Sequence, residues 1–434
     1  MSSIAVASST IEGDTAEVKR VFRKIAWRIL PLVMLGFILN SLDRVNVGFG
    51  ALKMNQAIGL SVTQFGYGAS LLFIGYLIFE IPSNVVLYRI GARFWLARIM
   101  ITWGLISAGT AFVVGPTSFY ILRFSLGVAE AGFFPGVAFC LAQWFPPNYR
   151  ARIFAWFMLS VPISGLIGSP LSGFLLGMDG YAGLAGWQWM YIIEGLPSAI
   201  LGILALWVLA DGPEKASWLS SDERRLASER IKTEIREREV SHIWKSMKDI
   251  RVLTLAGVEV GWLIGTYGVS IWLPLIIKTQ NFSDLNIGFL TAIPAGVSCI
   301  VMLIWARAVD RSGRKINNLA AMLLVGGLGL VLAGLTTHIF VVSFIGLAVS
   351  IVGTNAVRTV FWTIPSRFLS GIGMASGFAF INAVGTLGSF IGTFIVGWLK
   401  GMTNSYSLGM IVMAFFLFLA ALLSLSLKLF IRRE

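Results

Sequence analysis

Apolar stretches alternate with short polar segments along the whole chain, and each apolar stretch is near the roughly 20 residues that a helix needs to cross the hydrocarbon core of a bilayer. Twelve can be marked: 27–50, 65–88, 95–115, 118–144, 150–177, 187–210, 252–277, 285–309, 316–336, 339–365, 372–399 and 404–430. The pattern predicts an all-α membrane protein. A six-span bundle over 27–210 and another over 252–430 flank a polar linker, 211–251, with an N-terminal segment (1–26) and a short tail (431–434). An even number of spans puts both termini on one side. The first 26 residues hold no apolar stretch ending in a cleavage site, so the first span is expected to be retained.

The two bundles echo each other. A shift of 222 residues superposes Ser61, Gly66, Tyr67, Arg89 and Gly91 on Ser283, Gly288, Phe289, Arg311 and Gly313; a shift of 224 superposes Phe154, Ala155, Gly168 and Gly173 on Phe378, Ala379, Gly392 and Gly397. This six-plus-six duplication is a common way to build a carrier.

Composition supports lipid as the solvent, with 13% charged and 56% hydrophobic residues and a mean hydropathy of +0.81. The net charge of +13 taken alone suggests nucleic acid, but the placement of the charges excludes that reading. With the termini in the cytoplasm, 28 of the 34 Lys and Arg lie on the inner side; Lys53, Lys278 and Lys400 lie outside, and Arg44, Arg123 and Arg358 lie within spans. This asymmetry predicts a multi-pass protein of the cell inner membrane with both termini cytoplasmic. The linker is nearly neutral, with 10 basic and 9 acidic residues. Ser220 and Glu223 have capping-box spacing after Trp218 and Leu219, and Leu226, Ile231 and Ile235 form an apolar stripe, as expected of a solvated helix along the cytoplasmic face. Cys140, Cys299, His242 and His338 are scattered, so neither a disulfide framework nor a metal site is expected. The pairs Gly132/Gly136, Gly173/Gly177 and Gly388/Gly392 have helix-packing spacing, and Gly326, Gly327 and Gly329 lie within an apolar span with no strand before them.

An ionisable group at the bilayer centre costs roughly 3 kcal/mol, so each one is a functional candidate. Asp43 and Arg44 on span 1, Arg123 and Glu130 on span 4 and Arg358 on span 10 stand out. At about 1.5 Å per residue, Asp43 and Arg123 are at similar depth and are placed to pair, with Glu130 two turns deeper and Gly127 opening a groove between. Glu80, Glu194 and Glu259 lie nearer span ends, where interfacial or gating roles suffice. Three arginines then face two carboxylates, and the surplus positive charge selects an anion. Asn40, Tyr76, Thr359, Trp362, Asn382 and Thr386 are the polar and aromatic groups expected around it.

With these residues in place the chain resembles the major facilitator superfamily, and within it the anion:cation symporter family, over essentially its whole length. The resemblance rests on LDRVNVGFGALKMNQ (42–56), FIGYLIFEIPSN (73–84), LRFSLGVAEAGFFPG (122–136), GWQWMYIIEGLPS (187–199), FWTIPSRFLSG (361–371) and the loop motif ARAVDRSGRK (306–315). The first-half counterpart of that motif, NVVLYRIGAR (84–93), has Tyr88 where the family has aspartate, a departure that bears on the first-half cytoplasmic latch. The resemblance implies the major facilitator fold and proton-coupled import of a small organic carboxylate by alternating access. It implies that Asp43 and Glu130 couple protons with Arg123, and that Arg44 holds the substrate carboxylate. Tyr76, Thr359, Trp362 and Asn382 would line the cavity with Asn40, and Arg358 is a candidate for a second carboxylate or for a gate. No cofactor is expected beyond the transported proton, and the partners are the anion, protons and lipid, with a monomer expected. Arg358 favours a tartrate- or phthalate-like dianion, whereas the aromatic residues also suit a hydroxyphenylacetate-like monoanion. An antiporter of organic anions or phosphate esters would use the arginines without titrating carboxylates. A non-transporting sensor or an enzyme lacks support, since no nucleophile with an adjacent base is evident.

Overall fold

The computed structural model describes residues 15–235, 247–369 and 371–431. Residues 1–14 of the N-terminal segment, residues 236–246 of the linker with His242, and 432–434 of the tail lie outside them. The described residues hold no strand and twelve helices of spanning length. Spans 1–6 are Ala16–Ala57, Val62–Ile90, Ala92–Phe112, Pro116–Trp144, Arg152–Leu175 and Gly186–Val208. Spans 7–12 are Ile250–Lys278, Asp284–Ser312, Lys315–Leu335, Phe340–Phe361, Gly377–Thr403 and Ser407–Leu429.

Capping chemistry sets several starts. Thr15 caps span 1, Ser61 and Gln64 form a capping box on span 2, and Ser283 caps span 8. Span 1 is longer than its apolar run at both ends. Its basic first turns carry Val21, Phe22, Ile25 and Ile29 on a buried face, and Phe22 packs on Tyr149 with ring centroids 4.8 Å apart. The helix Ser221–Ile235 has the expected capping box between Ser220 and Glu223. It docks on the first half, with Ala227 and Ile231 buried and Lys24 of span 1 bonded to Glu223 at 2.7 Å. Just before it, Trp218 stacks on Trp144 with Arg28 over its ring.

Two spans are interrupted. Span 4 was expected to be continuous but ends its first helix at Glu130 and restarts at Phe133, through Gly132 at φ +87°. Pro135 has no N–H to give the Ala131 carbonyl, so that oxygen takes its hydrogen bond from Ser83 Oγ at 2.6 Å. Gly132 is therefore a left-handed turn residue, and it also gives the close approach its spacing suggested, since a Cβ there would collide with Ser83 Oγ of span 2. Span 5 has a turn at Leu159, three residues before Pro162, for the same reason.

The halves meet along spans 1 and 7, 2 and 11, and 5 and 8. On the face opposite the termini the approach is backbone to backbone: Gly66 lies against Gly397, and a Cβ at Gly288 would stand 2.6 Å from the Ser169 carbonyl. Gly388 and Gly392 do pack against span 7, as their spacing predicted, and Gly329 packs against Gly346 between spans 9 and 10. The first-half loop where Tyr88 replaces aspartate has a different support. Asp211, beyond span 6, accepts from the Arg93 backbone N–H at 2.9 Å beside Gly91, while Tyr88 packs edge-on against Phe139.

Candidate functional site

A cavity opens between the halves at mid-depth, walled by spans 1, 2, 4, 5, 7, 8, 10 and 11. Asn40, Arg44, Tyr76, Arg358, Trp362, Asn382 and Thr386 all line it. Toward the face carrying the termini, Trp362 stacks on Phe378 and approaches Phe134 of the other half, with centroids 5.1 and 5.9 Å away. Thr359 does not join them: it is absent from the lining and returns its hydroxyl to the Ala356 carbonyl one turn back.

Arg44 is the hub. Its Nε donates to Glu130 Oε2 at 2.9 Å, its Nη1 donates to the Tyr267 hydroxyl at 3.3 Å, and its guanidinium carbon lies 4.8 Å from the Tyr76 ring centroid. Glu130 belongs to the first half and Tyr267 to the second, so one side chain spans the interface. Ending the span 4 helix at Glu130 positions that carboxylate. The residue expected to open a groove above it does something else: Gly127 brings span 4 against the backbone of span 2 at Leu72 and Tyr76.

Asp43 and Arg123 do not form the expected ion pair. The two are neighbours, but other partners hold the Asp43 carboxylate. The Asp43 Oδ1 is taken instead by Ser107 of span 3 at 2.6 Å and by Asn46 at 3.4 Å. Asn46 also donates to Glu194, whose other oxygen accepts from Ser172. Arg123 is 1% exposed, its Nε and Nη2 lack hydrogen-bond partners among the described residues, and it shares its surroundings with Tyr191, Glu130 and Asp43.

Glu80, Glu194 and Glu259 overturn the charge count. They are 1%, 1% and 2% exposed, so none sits at a wet span end. Helices such as span 1 run past their apolar stretches, and distance from a run's end is a poor measure of depth. Glu80 accepts from Asn382 of the other half at 2.5 Å, and Glu259 lines the cavity facing Arg358. Three arginines within the spans thus meet five buried carboxylates, and the surplus of positive charge disappears. Arg358 lines the cavity with its guanidinium over the Trp262 ring at 5.0 Å.

Tyr267, Trp262, Ser107, Asn46 and Ser172 were not singled out in the sequence. A tyrosine or serine in an apolar span carries little burial penalty, so only its tertiary placement gives it a role. Among the described residues no cluster of His, Cys, Asp and Glu suits a metal ion.

The sequence profile of the Major Facilitator Superfamily matches residues 33–393. A protein of Agrobacterium vitis named for tartrate transport is 46% identical over 408 residues, covering 94% of this chain and 91% of that one. A quinolone resistance transporter of Acinetobacter baumannii is 41% identical over 409 residues, covering 92% and 94%. The solved structure of a bacterial homolog to the human lysosomal transporter Spinster, in an inward-facing and occupied conformation, superposes with a TM-score of 0.74 at 14% identity, over 92% of this chain and 95% of that one. Twelve spans in two related halves, a cavity between them that holds charged side chains and a family match over most of its length make this chain a membrane transporter, not an enzyme, of the Major Facilitator Superfamily.

Proposed function

We propose that the protein is a proton-coupled symporter importing a small organic carboxylate across the inner membrane, with both termini cytoplasmic as the basic inner loops indicate. The observation that carries this reading is the Arg44 hub, a guanidinium in the cavity paired to Glu130 of one half and bonded to Tyr267 of the other. A substrate carboxylate docking on Arg44 competes with Glu130 for the same fork. An uncompensated buried carboxylate costs several kcal/mol, a cost that a proton removes, so substrate binding and proton binding favour each other. Asp43, fixed by Ser107 and Asn46 behind the hub, is the second proton carrier, and Arg123 is the cation that both acids face. The name of the Agrobacterium vitis relative favours tartrate or a similar dianion, with Arg358 as the second cation. The Acinetobacter baumannii relative favours a second reading, outward movement of an organic acid in exchange for protons.

Purified protein in liposomes tests this. With acid outside, labelled tartrate is expected to accumulate, whereas Asp43→Asn and Glu130→Gln retain exchange of internal for external substrate but lose the pH-driven accumulation. Accumulation by both variants removes these carboxylates from coupling. Expulsion of substrate under an inward proton gradient selects the antiport reading.

A further inference from the structure

Donors and acceptors both line the cavity. Arg44, Arg358 and Tyr267 supply N–H and O–H groups. The face of span 11 that carries Asn382 and Thr386, with Gly385 in the same turn of helix, lines it as well. Two buried carboxylates reach that turn, one from each half. Glu80 of span 2 accepts from Asn382 Nδ2, and Glu259 of span 7 lies against Gly385, where a Cβ would stand 2.5 Å from its Cδ. Residues three apart on a helix are neighbours, so the two acids flank a single turn. Glu80 Oε2 and Glu259 Oε2 are buried and have no hydrogen-bond partner among the described residues. Arg358 faces Glu259, yet its guanidinium rests on Trp262 and forms no ion pair with it among the described residues. Thr386 gives its proton to the Asn382 backbone carbonyl, leaving only lone pairs for the cavity.

An amide donates from one end and accepts at the other, whereas a carboxylate only accepts. Glu80 therefore decides which way Asn382 faces: the NH2 group turns to Glu80, and Oδ1 accepts nothing else among the described residues. We propose that Glu80 is a positioning residue that turns Asn382 so that its Oδ1 and the Glu259 carboxylate form an acceptor subsite, and that this subsite selects carboxylates bearing hydroxyl or ammonium donors. The inference rests on the reading of the cavity as a carboxylate site. A donor-free dicarboxylate satisfies the arginines but leaves buried acceptors unpaired. A site built to bond a substrate hydroxyl rejects the analogue that lacks it far more strongly than an apolar pocket senses a missing methylene.

Tartrate, succinate and aspartate share two carboxylates and differ in carrying hydroxyls, no donor or an ammonium, and their equilibrium binding to the purified full chain tests the subsite. Wild type is expected to bind tartrate or aspartate at least about tenfold more tightly than succinate, and whichever leads identifies the donor. Glu80→Gln keeps the size but can itself donate, which frees Asn382 to turn. It is expected to cut that preference about tenfold while leaving succinate affinity nearly unchanged, whereas a merely structural Glu80 would weaken all three ligands alike. Glu259→Gln should also cut the preference, and it is the deciding variant if Glu80→Gln does not fold. Succinate binding as tightly as the other two, or a preference that survives the substitutions, overturns the inference. Binding of none of the three overturns the carboxylate reading beneath it as well, which separates the two failures.

Discussion

Arg44 gives Nε to a carboxylate and Nη1 to a phenol at the same time, from one rigid planar fork. Arg44→Lys keeps the charge and loses the fork. Hydrogen bonds to charged groups contribute about 1.5–3 kcal/mol, so carboxylate affinity should fall roughly 10- to 100-fold in equilibrium binding with the fold intact. Unchanged affinity would remove Arg44 from the substrate site. The hub was partly legible in the sequence, because ionisable residues in apolar spans carry a burial cost that marks them: Asp43, Arg123 and Glu130 are buried, and Arg44 and Arg358 line the cavity. The same marker was present at Glu80, Glu194 and Glu259 and was discounted by their distance along the chain from a run's end. Depth belongs to the three-dimensional helix and not to its index. The partners, Tyr267 and Ser107, have no marker at all.

At the scale of one helix, the break in span 4 fixes where Glu130 ends up. The Ala131 carbonyl freed by Pro135 is served by Ser83 Oγ, which in turn accepts from Trp95 Nε1 at 3.0 Å. This is a relay from span 3 through span 2 to the kink. Ser83→Ala strands a buried acceptor and a part-buried donor together, at a cost of about 1–3 kcal/mol for the stranded acceptor. The expected result is a melting temperature lower by several degrees, with tartrate affinity reduced because Glu130 shifts with its helix end. Ser83→Thr, which keeps the hydroxyl, should restore both. A Ser83→Ala protein with wild-type melting would show that the kink does not depend on the relay. Pro135 was readable as a breaker, and the spacing of Gly132 to Gly136 was readable as close packing, which Gly132 provides against Ser83. The left-handed turn at Gly132 was not, because spacing alone cannot tell a helix interior from a turn.

Across the whole molecule, the halves are tied on the face opposite the termini by a charged node as well as by glycine contacts. Lys53 of the first half donates to Asp179 and, at 2.8 Å, to the Leu176 carbonyl, and it lies 3.5 Å from Asp284 of the second half. Asp284 is itself paired to Lys278 at 2.8 Å. Closing this face while a cavity remains at mid-depth is one of the two states that alternating access requires. The Asp179 carboxyl, outside the spans, is held below the usual carboxylate range first by its bond to Lys53 and then by the Gly186 backbone N–H. A carboxylate with a depressed value contributes above its ordinary range and is lost only as pH falls through the lowered value, so mild acid on this face should leave the Lys53–Asp179 bond intact. Lys53→Gln removes it at neutral pH. Partly exposed pairs are worth up to about 1 kcal/mol, so the ratio of closed to open forms on this face should fall roughly fivefold. Hydrogen exchange in the adjoining ends of spans 5 and 8, residues 169–175 and 284–290, should then quicken, while exchange around Trp362 and Phe378 slows as those molecules close on the other face. Uniform quickening throughout would mean that Lys53 supports the fold in general and not the balance between the two faces.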